Sequence, residues 1–277
     1  MQIAHPDKIL FPKKIDVYRN CATVTYVFKN IYPTHFAGTS AGAIVGALYA
    51  AGHGWQEILD FFKTVQLFSI DKYARSKPGF VDTEKFHGSF AKYLPVDDFA
   101  ALKTPLYITA TRILDGTLKV FHQGELIRPV LASAAFPGVF APEKIDEGYY
   151  SDVGILNNFP SDLIRMYCHQ LIGVYVNPFE KVKIQDLRHS YTIMERAYKI
   201  RMAKDSLDKF KECHQVISPK DLTNYSTFSL KNMDAIFEVG YVCHQKGFAK
   251  LAYLTRKGGR EGRIGSHERV CDESREE

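Results

Sequence analysis

His35-Phe36-Ala37-Gly38-Thr39-Ser40-Ala41-Gly42-Ala43 is the stretch that decides the reading of this chain. An extended lead-in, His35-Phe36-Ala37, runs into a serine flanked by glycines and then into an alanine- and glycine-rich segment. Gly38 through Gly42 fits GxSxG, and a strand, a tight turn and a helix are the context that pattern needs. Small residues beside the serine let neighbouring backbone approach. Ser40 would then stand at a helix N-terminus, where N–H groups and the helix dipole favour a developing oxyanion. The plainer alternative is a glycine-rich helix start capped by a serine, and these residues alone leave both open.

Outward from the elbow, short apolar runs alternate with helix-like segments, which argues for an α/β fold. Strands are expected over Thr34–Gly38, Leu106–Thr111, Leu118–Phe121 and Leu171–Asn177, with a weaker one at Gln215–Ser218. The run Leu171-Ile172-Gly173-Val174-Tyr175-Val176 is apolar on both faces, as a buried parallel strand should be. Helices are expected over Ala41–Ala51, Trp55–Thr64, Thr83–Tyr93, Leu126–Ala134 and Ile184–Phe210. In the last, Leu187, Tyr191, Met194, Tyr198 and Met202 recur at helical spacing among lysines and arginines. We read this as a packed stripe under a solvated face rather than a lipid-binding face.

The chain has 277 residues, 45% of them hydrophobic and 24% charged, which allows a sizeable core and excludes collagen-like, disordered and disulfide-scaffold classes. A formal charge of +5 from scattered lysines and arginines favours anionic surfaces and gives no indication of nucleic acid. Cys21, Cys168, Cys213, Cys243 and Cys271 form no metal-ligand pattern and are expected to be free thiols of a reducing cytoplasm. The longest strongly apolar stretch, Ala41–Gly52, falls far short of the roughly 20 residues that span a bilayer. The chain is therefore expected to be cytoplasmic, soluble or at most peripheral to a membrane. Residues 1–30 read as a divergent N-terminal segment, 31–245 as the main domain with its motifs in 31–163, and 246–277 as a flexible tail.

An activated serine needs a base. None of the ten histidines stands in a recognisable catalytic context, and His35 belongs to the elbow's lead-in strand. Asp152, in Tyr149-Tyr150-Ser151-Asp152-Val153-Gly154-Ile155-Leu156-Asn157-Asn158-Phe159-Pro160, is the carboxylate candidate, because it precedes a glycine turn. Three segments together then resemble the patatin-like phospholipase family. These are the elbow Gly38–Ala43, the block Ala132-Ser133-Ala134-Ala135-Phe136-Pro137-Gly138-Val139-Phe140, and the aspartate motif from Asp152 through Asn157 to Pro160, with Gly154 in its turn. The likeness covers about Ile31 to Tyr241. It implies a three-layer α/β/α fold with a mainly parallel sheet, a Ser40–Asp152 dyad without histidine, and hydrolysis of lipid acyl esters with neither cofactor nor metal. Ala41, Gly38 and Gly42 are the candidates for contacting an oxyanion.

Two departures qualify the likeness. The family's glycine-rich oxyanion loop precedes the elbow by about 30 residues, and residues 1–30 here contain no glycine. The sheet loses a central strand unless the apolar patch Val24–Phe28 supplies one. Val153 also replaces the usual glycine, and a β-branched residue is strained if that position needs a positive φ. A catalytically impaired scaffold that binds lipid or a partner is therefore the first rival. An α/β-hydrolase with a Ser-His-Asp triad is the second, its histidine drawn from His169, His189, His214, His244 or His267.

Overall fold

Leu106-Tyr107-Ile108-Thr109-Ala110-Thr111-Arg112 shows how the fold is organised, because a strand sends alternate side chains to opposite faces. In the computed structural model these residues form β3 (Leu106–Arg112). Leu106, Ile108 and Ala110 enter the main apolar core, while Tyr107 packs on the other side with Ala37, Ile164 and Leu171. The structure describes residues 22–23, 33–65, 84–137, 139–152, 154, 156–177, 181–187, 190–225, 232–243 and 269–270.

β2 (Phe36–Gly38) runs parallel to β3, from Phe36 opposite Leu106 to Gly38 opposite Ile108. β4 (Thr117–Phe121) lies antiparallel along β3, pairing Ile108 through Arg112. A hairpin of β5 (Glu143–Ile145) and β6 (Gly148–Ser151) then joins, with Ser151 opposite Thr111 and Tyr150 opposite Arg112. β4 occupies one edge of β3 at both Ile108 and Thr111, so β2 and β6 share the other edge end to end. On the far side of β2, β1 (Ala22–Thr23) lies antiparallel between β2 and β7 (Ile172–Tyr175). β8 (Gln215–Ile217) and β9 (Arg269–Val270) continue the sheet in parallel with β7. Among the described residues, β2, β3, β5, β7, β8 and β9 point one way and β1, β4 and β6 the other.

One face of this sheet is covered by α1 (Ala41–Ala51), α2 (Trp55–Thr64), α3 (Glu84–Ala91) and α4 (Ile127–Ala134). Nine of the eleven residues of α1 are buried, as expected of a helix that is apolar all round and enclosed by its neighbours. The other face carries the 3-10 turns Pro160–Leu163 and Arg165–Tyr167 and the helix α5 (Ser190–Lys209). A further helix, α6 (233–243), returns to the first face, where Phe237 meets Trp55 and Asp234 pairs with Lys63 at 2.6 Å. The result is the three-layer α/β/α architecture that the resemblance implies.

The structure revises several expectations. The position beside β2 is filled by Ala22–Thr23, whereas Val24–Phe28 lies outside the described residues. The long helix is shorter than expected, preceded by a 3-10 turn at Ile184–Asp186 and followed by one at Phe210–Glu212. In its packed stripe Tyr198 meets Phe136 and Met202 is buried, as expected, whereas Met194 is 67% exposed and Ser206 joins the buried face. Cys168 and Cys213 are free thiols, and burial pushes Cys213 up to about 12. Cys243 is disulfide-bonded, which corrects the expectation of free thiols throughout. Spacing along the chain carries no record of which cysteines the fold brings together. Arg269–Val270, inside the stretch read as a tail, joins the sheet edge. No helix among the described residues is long and apolar enough to cross a membrane.

Candidate active site

The end-to-end sharing of one β3 edge explains how two distant residues meet. β2 stops at Gly38, opposite Ile108, and β6 arrives from the other direction and stops at Ser151, opposite Thr111. Three residues of β3 separate these levels, a gap of about 10 Å at the usual strand rise. Ser40 follows Gly38 by two residues and Asp152 follows Ser151 by one, so both chains turn out of the sheet into the same gap.

Gly38 has to be glycine, because a Cβ there would lie 2.5 Å from the Gly42 carbonyl oxygen as α1 doubles back. Ser40 adopts φ 55° and ψ −123°, a left-handed conformation that non-glycine residues rarely take and that marks strain at functional turns. Its hydroxyl makes no capping bond to α1, which removes the plain helix-cap alternative. Thr39 fixes the turn from the other side of the sheet. Its hydroxyl lies 2.7 Å from that of Thr109 and donates to the Asn157 carbonyl at 3.1 Å.

Both members of the pair are held by the end of α4. The Ser40 N–H donates to Ser133 Oγ at 2.8 Å, and the Asp152 N–H donates to the Ala135 carbonyl at 3.0 Å. Remote capping fixes the start of that helix, since Asp97 Oδ1 accepts from the N–H groups of Leu126 and Ile127 at 2.9 and 2.7 Å.

Asp152 is 4% exposed, and burial raises its carboxyl from 3.8 to about 6. The Ser40 side chain, the Gly154 N–H and the Tyr198 side chain oppose that rise by favouring the ionised form. The Gly154 contact is 2.8 Å to Oδ1. Gly154 also receives α5, because a Cβ there would stand 2.7 Å from the Tyr198 hydroxyl and 3.0 Å from Met202 Sδ. The arrangement is a serine hydroxyl beside a desolvated carboxylate poised near neutrality, the combination that general-base activation requires.

The aspartate loop is pinned further along. Lys209, at the end of α5, donates to Asn157 Oδ1 at 2.8 Å and pairs with Asp162, to which the Asn157 amide also donates at 3.2 Å. Pro160 opens the 3-10 turn that follows. Asn157 and Pro160 therefore support the loop, and neither is described against Ser40 or Asp152. Of the oxyanion candidates, Gly42 already donates its N–H to the Thr39 carbonyl at 2.9 Å, and Gly38 is paired on both sides within the sheet. The Ala41 N–H, first in α1, is left as the donor of that set.

Neither of the two described histidine candidates, His169 and His214, has a contact with Ser40 or Asp152. His214 Nδ1 accepts the Leu171 N–H at 3.0 Å, and His169 is exposed beyond the 3-10 turns. His35 stacks on Tyr167 at 5.1 Å, at the opposite end of β2 from Ser40. His189, His244 and His267 lie outside the described residues, as does Val153. Among the described residues, His87, Asp97 and Glu125 bring possible metal-ligating atoms within 4.8 Å of one another. Asp97 there caps α4 and Glu125 pairs with Arg128 at 3.1 Å, and neither Ser40 nor Asp152 takes part.

Sequence reasoning missed Ser133, Thr39, Thr109, Asp162 and Lys209. Thr39 and Ser133 lay in quoted motifs, where nothing marked either hydroxyl as a hydrogen-bond partner.

Three uncharacterized NTE family proteins, one from Mycobacterium bovis and two from strains of Mycobacterium tuberculosis, are each 32% identical to this chain over 160 residues. That alignment takes in 56% of this chain and 44% of each relative, so the chain spans less than half of their length. A family model described as patatin-like phospholipase matches residues 24–164. The matched span runs through the elbow, the end of α4 and the aspartate turn, the three places that build the gap beside β3, and by that match the chain belongs to the patatin-like phospholipase family.

Proposed function

We propose that this member of a lipid hydrolase family is a serine acyl hydrolase that cleaves acyl esters of phospholipids or related lipids through Ser40 and Asp152. The observation that carries the reading is the buried Asp152 carboxyl, raised to about 6 and facing the strained Ser40. Asp152 takes the Ser40 proton as the serine oxygen adds to the ester carbonyl, and the Ala41 N–H bonds the resulting oxyanion. Collapse of that adduct breaks the ester C–O bond, and the leaving alcohol takes the proton from Asp152. The acyl group stays on Ser40. A water then gives its proton to Asp152 and attacks the acyl carbon. Ser40 leaves, recovers the proton, and the free fatty acid departs.

The reading assigns this chemistry to a domain at residues 31–245, whose sheet also takes in Ala22–Thr23 and Arg269–Val270, in a cytoplasmic protein in peripheral contact with a membrane, and the net charge of +5 supports contact with anionic headgroups. A second reading, a scaffold that binds lipid without turnover, is favoured by the absence of glycine in residues 1–30. Losing one oxyanion donor typically costs about 10²–10³ in rate.

Hydrolysis of p-nitrophenyl esters of short and long acyl chains by the parent, and none by Ser40→Ala, is the expected outcome. Equal inertness of two folded proteins would remove the hydrolase reading and leave the scaffold.

A further inference from the structure

Ser133 is fully buried on α4, outside the dyad and its loop, yet its Oγ lies 2.8 Å from the backbone nitrogen of the nucleophile. We infer that Ser133 is a positioning residue for Ser40: by accepting the Ser40 N–H, it holds the elbow in the strained conformation that aims the nucleophile at Asp152. The inference rests on the proposed Ser40–Asp152 chemistry.

Three features carry it. Ser40 is 8% exposed, so its N–H has little access to water, and a buried donor without a partner is disfavoured. The conformation at φ 55° and ψ −123° is one that a serine keeps only when its surroundings fix it, and the Ser133 hydroxyl supplies a directional contact at that residue. The same helix end holds the other partner, because the Ala135 carbonyl accepts the Asp152 N–H two residues further on. The separation between the nucleophile and its base is thereby referred to a span of two residues on one packed helix. Full burial denies Ser133 contact with substrate, which makes it a positioning residue and not an oxyanion donor.

The test compares the parent with Ser133→Ala, which removes the acceptor, and Ser133→Cys, which keeps nearly the same volume with a poor one. Four readouts are taken: kcat and KM on a short p-nitrophenyl ester, the rate of labelling by a fluorophosphonate, the melting temperature, and hydrogen exchange at the Ser40 amide. A misplacement on the order of 1 Å can cost about 10²-fold, so both variants are expected to lose about 10- to 100-fold in kcat and labelling rate. KM and melting temperature stay close to those of the parent, and the Ser40 amide exchanges faster. Parent-like rates in Ser133→Ala would overturn the inference. So would recovery in Ser133→Cys, which would make the role one of packing. If the parent neither turns over nor labels, the hydrolase reading fails by itself. Amide exchange then decides the inference, and unchanged protection in Ser133→Ala overturns it.

Discussion

The two faces of β2 and β3 are built from different chemistry. Phe36, Leu106, Ile108 and Ala110 point into a continuous apolar cluster with α1, α2, α3 and α4, where Phe61 meets Phe62, Phe90 and Tyr93 ring to ring. On the other face Thr39, Thr109, Asn157, Asp162 and Lys209 form a chain of polar contacts that reaches Thr39, the residue before Ser40. Dispersion and burial are non-directional and tolerate small shifts, so the first face supplies stability. Hydrogen bonds demand angles and distances, so the second supplies the geometry of the site. Substitutions on the two faces should therefore separate into losses of stability and losses of rate.

The largest separation is expected at the carboxylate. Asp152→Asn removes the base and should lower kcat by about 10²–10⁴-fold. Its effect on stability has the opposite sign. Because burial raises the Asp152 pKa from 3.8 to about 6, the folded chain keeps a proton that the unfolded chain releases between those values. Stability on this account is full below about pH 4 and falls as pH rises through about 6. Asp152→Asn should therefore melt above the parent at about pH 8 and level with it near pH 4. A variant that is both slower and less stable at the higher pH would break the comparison. On the apolar face, Phe61→Ala deletes a fully buried ring and should cost about 3–5 kcal/mol. Thermal melts should record the loss while the fluorophosphonate labelling rate per folded molecule stays at the parent value. The smallest expected effect is at Lys209→Met, which keeps the apolar stem and removes the ammonium from Asn157 and Asp162. We expect a stability loss of about 1–3 kcal/mol. It should come with slower labelling, and melting and labelling measured together sharpen the comparison by showing whether the polar face transmits to the site.

Much of the apolar face was legible in the sequence. Ala41–Ala51 and Trp55–Thr64 appear where their composition puts them, and the runs at Leu106 and Leu171 become β3 and β7. The hairpin β5–β6 was not legible, because Glu143-Lys144-Ile145 and Gly148-Tyr149-Tyr150-Ser151 are too short and mixed to show a period. β1 and β9 are two residues each and exist only through their partners. The α5 stripe was read correctly at Tyr198 and Met202 and wrongly at Met194, because apolarity was weighted alone, whereas the packed face also uses Ser206. Ser40 and Asp152 could be nominated from flanking motifs, but the polar face that supports them pairs residues such as Thr39 with Asn157 and Asn157 with Lys209 across long separations. Such pairings have no local signature.

The central claim is that a buried carboxylate, and no histidine, activates Ser40. The most direct test is the pH dependence of fluorophosphonate labelling of Ser40 in the parent chain. The account predicts a rate that rises with pH through about 6, levels above it, and persists in His→Ala variants of His169, His189, His214, His244 and His267. A rate that is abolished by one of those substitutions, or labelling that is independent of pH across that range, would contradict it.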